Sequence, residues 1–135
     1  MDLASLAPVT DGVPVPLRHP VTGEKLTHDK TGEPITISIV GMDSDQFRAR
    51  HRAIINRRLN AGKKAKVTAE EIETESIGTI AACVTGWAGV NLDGADLTFT
   101  IDNVKALLAR LPFIREQLDE AIADRANFLK GSQTN

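Results

Sequence analysis

The positions of its prolines divide this chain into two parts with different patterns. Five of the six prolines lie before residue 42, among short alternating runs of β-branched residues. After Gly41 the apolar residues recur instead at the spacing of an amphipathic helix. Because proline disrupts helix interiors and central strands, the first part predicts short strands and turns, and the second part predicts helices.

The N-terminal part predicts a small antiparallel β-meander over residues 13–41. Its clearest strand is 34–40, where isoleucines alternate with polar residues. Segment 13–18 also alternates, but its prolines cannot donate to a ladder, so we expect an edge strand. Segments 19–24 and 29–33 are interpreted as turns, with a return strand beginning between them and no internal repeat in the chain.

The remainder predicts four helices, near residues 44–60, 69–86, 101–110 and 112–129. Asp43 or Ser44, Thr68 and Thr100 are suited to cap the first three, and Pro112 fits the first position of the fourth. Gly78, inside the second helix, indicates a close approach of another element. We expect the second helix to bury, among others, Ile72, Ile77, Ile80, Cys83 and Val84. The predicted helical core comprises Phe47, Ile54, Ile55, Ile80, Val84, Trp87, Leu107, Leu108, Leu118 and Ile122, and Leu59 lies on the same stripe of the first helix as Ile54 and Ile55.

The predicted fold class is therefore α+β, with a small N-terminal antiparallel β-meander packed beside an array of about four helices. A flexible N-terminus, 1–12, precedes a single domain over 13–130, of which 13–41 is the meander and 43–130 the helical part. We expect residues 131–135 to be a disordered tail.

Composition excludes several classes of function. The chain has 135 residues, a net charge of −2, one cysteine and no tyrosine. Scarce aromatics argue against a stacking platform for single-stranded nucleic acid, and one cysteine excludes an internal disulfide. We expect no signal peptide and no membrane span. These features predict a soluble cytoplasmic protein.

A basic run is the strongest site-like feature. It holds half of all lysines and arginines within nineteen positions that contain no acidic residue: Arg48, Arg50, Arg52, Arg57, Arg58, Lys63, Lys64 and Lys66. One interpretation is phosphate binding on nucleic acid. The other is a docking face for an acidic partner or for the nearby Glu70–Glu75 cluster. The cations do not form one tight helical stripe, which favours the second interpretation. We identify the candidate docking face as Arg48, Arg52, Arg57, Arg58, Lys63 and Lys64.

No arrangement typical of catalysis or metal binding is present. The three histidines, His19, His28 and His51, lie in a turn, a loop and a helix, without the short spacing of a zinc site. We expect His51 to be partly buried. Cys83 lies among small residues in a helix, which indicates a core position. The chain also lacks a phosphate-binding loop and a nucleophile elbow. We expect no enzyme activity, no cofactor and no metal.

The stretch around Trp87 resembles a block in the tail assembly chaperones of long-tailed, siphovirus-type bacteriophages. In that family a "V-x-G-W-x-G" run ends one helix, and a "D-G-x-x-L-x-F-T-x-x-N" run starts the next. The matching residues here are Val84, Gly86, Trp87, Gly89, Asp93, Gly94, Leu97, Phe99, Thr100 and Asn103. Further matches lie at the start of the first helix, in Gly41, Asp43, Ser44 and Phe47, and at the end of the chain, in Leu111, Pro112, Ile114, Gln117, Leu118, Ala121, Ile122 and Phe128. The resemblance covers about residues 13 to 130.

The resemblance implies a non-catalytic protein of the host bacterial cytoplasm that is absent from the mature virion. Its partners would be the tape measure protein and, through a possible frameshifted longer form, the tail tube protein. Self-association is also possible, while nucleic acid and membrane are not expected as partners. The alternatives are a head–tail connector or tail-completion protein, and a nucleic-acid-binding accessory protein that uses the basic helix 48–66.

Two apolar surfaces are further candidates for binding a partner, besides the basic docking face. The C-terminal helices carry Phe113, Phe128 and Leu129, which exceed what one core stripe uses, and contiguous exposed apolar residues mark interaction sites. Trp87 has two interpretations. It is either a core residue between the second and third helices, with its N–H bonded in the connector, or an interface anchor. We favour the core.

Overall fold

A computed structural model of the chain describes residues 1–62 and 66–130. It confirms the predicted α+β class, with strands β1 and β2 in the N-terminal part and helices after them. The elements are β1 (Val13–Pro16), β2 (Thr36–Ile39), α1 (Asp45–Ala61), α2 (Ala69–Cys83), β3 (Val84–Ala88), β4 (Asn91–Leu92), β5 (Ala95–Asp96), α3 (Ile101–Arg110) and α4 (Pro112–Ala123), with short 3-10 helices at Leu3–Leu6 and Arg125–Phe128.

The larger sheet is antiparallel in the order β1-β2-β3. β1 lies at its edge, as its two prolines require, and Val15 pairs with Ile37 of β2. The third strand corrects the sequence prediction, which extended the second helix to about residue 86. α2 ends at Cys83, and Val84 adopts an extended conformation with φ −82° and ψ 123°. Residues 84–88 then pair with β2, because its second edge needs hydrogen-bond partners.

The predicted meander is only partly present. Between β1 and β2 the backbone makes isolated bridges and no return strand. Leu17, Leu26 and Ile35 form a closed ring of three backbone hydrogen bonds. Leu26 N–H donates to the Leu17 carbonyl at 2.9 Å, Ile35 N–H to Leu26 at 2.9 Å, and Leu17 N–H to Ile35 at 3.0 Å. This ring ties two turns to the end of the ribbon formed by β1 and β2.

The helix starts follow the predicted caps. Ser44 Oγ accepts the N–H of Phe47 at 3.1 Å, and the hydroxyls of Thr68 and Thr100 accept at the third residue of their helices. Pro112 occupies the first turn of α4. Each of these signals is local, so the sequence places the helix starts correctly.

The end of the chain differs from the predicted helix to residue 129. α4 stops at Ala123, and the Asp124 carboxylate accepts the N–H of Ala126 at 3.1 Å, which starts a separate 3-10 helix. This break turns Phe128 inward, where it is 3% exposed. Its carbonyl accepts the N–H of Val9 at 2.8 Å, so the packed part of the domain begins before residue 13. The predicted tail, 131–135, lies outside the described residues.

The core lies between the sheet and α2, α3 and α4. It contains, besides other residues, Val13, Leu17, Ile37, Ile39, Val40, Ile80, Cys83, Val84, Val104, Leu107, Leu108, Ile114, Leu118, Ile122 and Phe128. Six of the residues predicted for the core, Ile80, Val84, Leu107, Leu108, Leu118 and Ile122, are buried. α1 contributes only partly buried residues, which leaves much of that helix exposed to solvent.

Candidate interaction surface

The helix α1 has 17 residues, none of them buried. Ile55 and Leu59, both on the predicted apolar stripe, are 44% and 73% exposed, so the prediction that Ile55 belongs to the core is wrong. The same holds for Ile72 of α2, which is 55% exposed. α1 packs mainly on α2, and the stripe that carries Ile55 and Leu59 lies on its other side. The hairpin of α1 and α2 therefore presents apolar side chains to solvent.

Four side chains of α1 form one line on the side away from α2. Arg48, Arg52, Ile55 and Leu59 are spaced by four, three and four residues, which places them within about 60° of one another around the helix axis. Neither arginine side chain makes a hydrogen bond or ion pair within residues 1–62 and 66–130. We call these four residues the outer α1 face. It is basic at its N-terminal half and apolar at its C-terminal half.

On the side of α1 that faces α2, the charges of two arginines are paired with a glutamate of α2. Arg57 Nη2 donates to Glu75 at 3.1 Å, and Arg58 Nη2 donates to the other carboxylate oxygen at 2.6 Å. Burial opposes ionisation of Glu75, but the hydrogen bonds and charges of Arg58 and Arg57 outweigh it and hold the pKa of that carboxyl below its usual range. Part of the basic run thus docks on the acidic cluster, as one interpretation of the sequence predicted. Lys63 and Lys64 lie outside the described residues.

Gly78 lies against α1, so another element does approach it as predicted, through the side chain of Arg50 rather than through the helix backbone. A Cβ at Gly78 would lie 2.4 Å from Nη2 of Arg50, whose Nε is buried without a hydrogen-bond partner in the described part of the chain. Beyond this contact the two helices border a cleft of about 1020 Å³. Its walls include Arg57, Arg58, Lys66, Glu70, Glu71 and Glu75. The walls also contain uncharged residues, among them Ala61, Val67 and Thr74, so the lining of the cleft is mixed.

The C-terminal surface differs from the prediction. Phe128 packs its ring over Gly41, where a Cβ would lie 2.6 Å from the ring. It is therefore part of the core and is not a partner-binding residue. Phe113 is half-buried against the core, and Leu129 is also half-buried. Arg125 closes this region by donating to both carboxylate oxygens of Asp43, at 2.7 and 3.2 Å.

Trp87 lies on β3 opposite Ile37, not between the second and third helices as predicted. Its indole N–H donates to the carbonyl of Leu97 at 3.0 Å, which confirms the predicted bond to the connector. Its ring meets Phe99 edge to face, with centroids 5.3 Å apart. The half-buried ring lines a shallow crevice of about 330 Å³, with the pair of His28 and Asp96 at the same crevice.

The reactive side chains serve structural roles. Burial raises the pKa of Cys83 to about 11, so its thiol is not a nucleophile at neutral pH. His51 stacks on Phe47, with ring centroids 6.2 Å apart, and it is exposed where partial burial was predicted. No group of three potential metal ligands occurs among the described residues.

Two successive turns share a sequence pattern and a geometry, so the prediction that the chain has no internal repeat is wrong. The first turn, 19–24, and the second turn, 28–33, both read His-x-x-Thr-Gly-Glu, nine residues apart. In each, the histidine Nδ1 accepts two backbone N–H groups, at 3.1 and 3.2 Å in the first turn and 3.1 and 3.3 Å in the second. Each glycine has positive φ, 74° and 71°. The chain therefore contains a tandem repeat, which the four identical residues in these two six-residue segments could have revealed.

The two turns differ in their surroundings. In the second, His28 is 8% exposed and its Nε2 lies 2.6 Å from Asp96 Oδ1. Because Nδ1 already accepts two N–H groups, Nε2 carries the proton and donates to the carboxylate. Asn91 adds a bond of 3.1 Å to Asp29 of the same turn. In the first turn His19 is exposed.

Comparison of the chain with models of known protein families, with characterised proteins and with solved structures finds no match. No helix within residues 1–62 and 66–130 is long and apolar enough to cross a membrane.

Proposed function

We propose that this protein is a non-catalytic tail assembly chaperone of a long-tailed bacteriophage that binds the tape measure protein. The exposed apolar half of the outer α1 face carries this proposal. Ile55 and Leu59 remain 44% and 73% exposed although the domain has a well-filled core. Exposed apolar residues at helical spacing suit a partner helix that supplies its own apolar stripe. The ordered sequence motifs add the phage context.

The proposed binding surface lies on α1 and not on the C-terminal helices, where the sequence indicated it. Phe128 is part of the core, so it cannot anchor a partner without unfolding. On α1, burying Leu59 against a partner contributes about 1.5–3 kcal/mol. That is modest for one contact. A long tape measure helix presents many equivalent sites, so weak contacts suffice when many copies bind along it.

Two cations that make no direct hydrogen bond or ion pair in the described part of the chain define the partner further. Arg48 and Arg52 extend the same line toward the start of α1. A partner helix that crosses the whole face would carry acidic residues where it meets the arginines and apolar residues where it meets Ile55 and Leu59. The proposal includes recruitment of the tail tube protein by a longer, frameshifted form, action in the host cytoplasm and release before the virion is complete.

Coexpression with the tape measure protein tests the proposal. We expect a soluble complex with several copies of the chain for each tape measure molecule. Leu59→Asp should reduce the copurified tape measure at least about tenfold, because it replaces an apolar contact with a charge. The matched control is Ile101→Asp, which changes a 48% exposed isoleucine at the start of α3.

Two results would contradict the proposal. One is a tape measure protein that is equally soluble without the chain. The other is a complex in which Leu59→Asp binds as well as the control. Mass spectrometry of purified virions separates the alternatives, because a connector or tail-completion protein would remain in the particle and a chaperone would not.

A further inference from the structure

The second turn shows how this repeated motif binds a carboxylate. Its histidine holds the turn with Nδ1 and donates from Nε2 to Asp96 at 2.6 Å, while Asp96 itself remains 82% exposed. The recognised group is thus the carboxylate of Asp96, which lies on the small hairpin β4–β5. The residue after Asp96, Leu97, is partly buried. The motif supplies both its own rigid frame and the donor.

The first turn has the same histidine hydrogen bonds and the same glycine conformation as the second, but no residue in the described part of the chain takes the place of Asp96. Nε2 of His19 has no hydrogen-bond partner within the described residues. Because Nδ1 accepts the N–H groups of Val21 and Thr22, the proton again lies on Nε2 and points away from the turn. Val21 at the tip is 86% exposed. A donor and an apolar side chain are therefore presented together to solvent.

The first turn is also fixed to the domain at its base. The side-chain amide of Gln117 on α4 accepts the N–H of Arg18 at 3.0 Å and donates to its carbonyl at 2.8 Å. The Arg18 guanidinium then donates to the carbonyl of Gly23 at 3.1 Å. A loop held in this way loses little conformational freedom on binding, which lowers the cost of forming a complex.

We propose that the first turn is a docking site for a carboxylate-bearing β-turn of another protein, bound as the second turn binds Asp96. His19 Nε2 donates to the carboxylate, and Val21 covers an apolar neighbour of that residue. Asp96 of a second copy is not available for this role, because it is already bound by its own His28. This surface includes no residue of the outer α1 face, so its test is independent of tape measure binding.

A pair of matched variants separates docking from a structural role. Asparagine can accept the backbone N–H groups that Nδ1 accepts, but it lacks the donor at the Nε2 position. His28→Asn should lower the Tm by about 3 °C, because it removes the bond to Asp96. His19→Asn should leave the Tm unchanged, since the Nε2 donor of His19 makes no hydrogen bond to any residue that the structure describes. If His19→Asn lowers the Tm as much as His28→Asn, the first turn is structural and the proposal fails.

A peptide supplies the direct test of binding. The probe is a cyclic hairpin peptide with the sequence of residues 90–97, and the control peptide carries asparagine in place of the aspartate corresponding to Asp96. Titrated into the full chain, the first peptide should shift the His19 ring signals in NMR spectra, with a Kd on the order of 1 mM. The control peptide, and the His19→Asn variant, should show no such change. A His19 signal that does not move at several millimolar peptide overturns the proposal.

Discussion

Replacing Phe128 with alanine should strongly destabilise the domain. The ring is 3% exposed and covers the backbone at Gly41, where even one added methyl group would meet it at 2.6 Å. The backbone of the same residue accepts the N–H of Val9. Phe128 therefore joins the C-terminal 3-10 helix, the segment after β2 and the N-terminal segment.

The expected cost follows from this burial. Truncating a buried phenylalanine to alanine removes its transfer free energy and leaves a cavity, at about 3–5 kcal/mol. A domain of this size has a free energy of unfolding of about 5–15 kcal/mol, so the loss is a large part of it. The corresponding fall in Tm is about 10–15 °C. Phe128→Asp should be worse, because it also buries a carboxylate without a partner.

Urea unfolding followed by tryptophan fluorescence measures this effect, since Trp87 is the only tryptophan and contacts Phe99. The midpoint should fall at an unchanged slope. Leu59→Ala is the control, because a residue 73% exposed should change stability by less than about 0.5 kcal/mol. If Phe128→Ala is as stable as Leu59→Ala, Phe128 is not a core residue and becomes available as the partner anchor that the sequence predicted.

Two further predictions concern titratable groups. Because burial raises the pKa of Cys83 to about 11, the folded protein should resist a thiol reagent at pH 8, and one thiol per chain should react after unfolding in urea. Rapid modification of the native protein would contradict this. The hydrogen bonds from Arg125 lower the pKa of Asp43, so their pairing stabilises the fold above the unfolded pKa of about 3.9 and is lost as pH falls through the lower folded value. Arg125→Ala should therefore be less stable than the wild type at pH 7 and equally stable once Asp43 is protonated, by urea unfolding at each pH. A difference that persists in acid would point to packing by Arg125.

Local signals in the sequence predicted much of the fold correctly. Ser44, Thr68 and Thr100 cap their helices because a hydroxyl next to the first turn satisfies a free N–H whatever the rest of the chain does. The Asp93-Gly94 pair, a combination typical of tight turns, connects β4 to β5 with φ of 53° and 83°. Each of these caps and turns depends only on residues that are close together in the sequence, so local sequence patterns are enough to predict it.

The errors lie where a distant partner decides the structure. Residues 84–86 continue the helical pattern of α2, yet they form β3 because β2, more than forty residues earlier, offers a free edge. Phe128 continues the stripe of α4, yet the break at Asp124 turns it onto Gly41. The tandem turns were an avoidable error, since His-x-x-Thr-Gly-Glu occurs twice in the sequence itself.

The outer α1 face shows why periodicity predicts a binding surface only indirectly. A helical stripe identifies residues that bury together, but it does not say whether the covering element belongs to the same chain. On α1, the side carrying Arg57 and Arg58 is paired with α2 through Glu75, which leaves the line with Ile55 and Leu59 without a covering element in the described part of the chain. An assembly chaperone needs an apolar helix that stays uncovered until its partner arrives. The exposure of the α1 stripe, which made the prediction of Ile55 as a core residue wrong, is therefore the feature on which the proposed function depends.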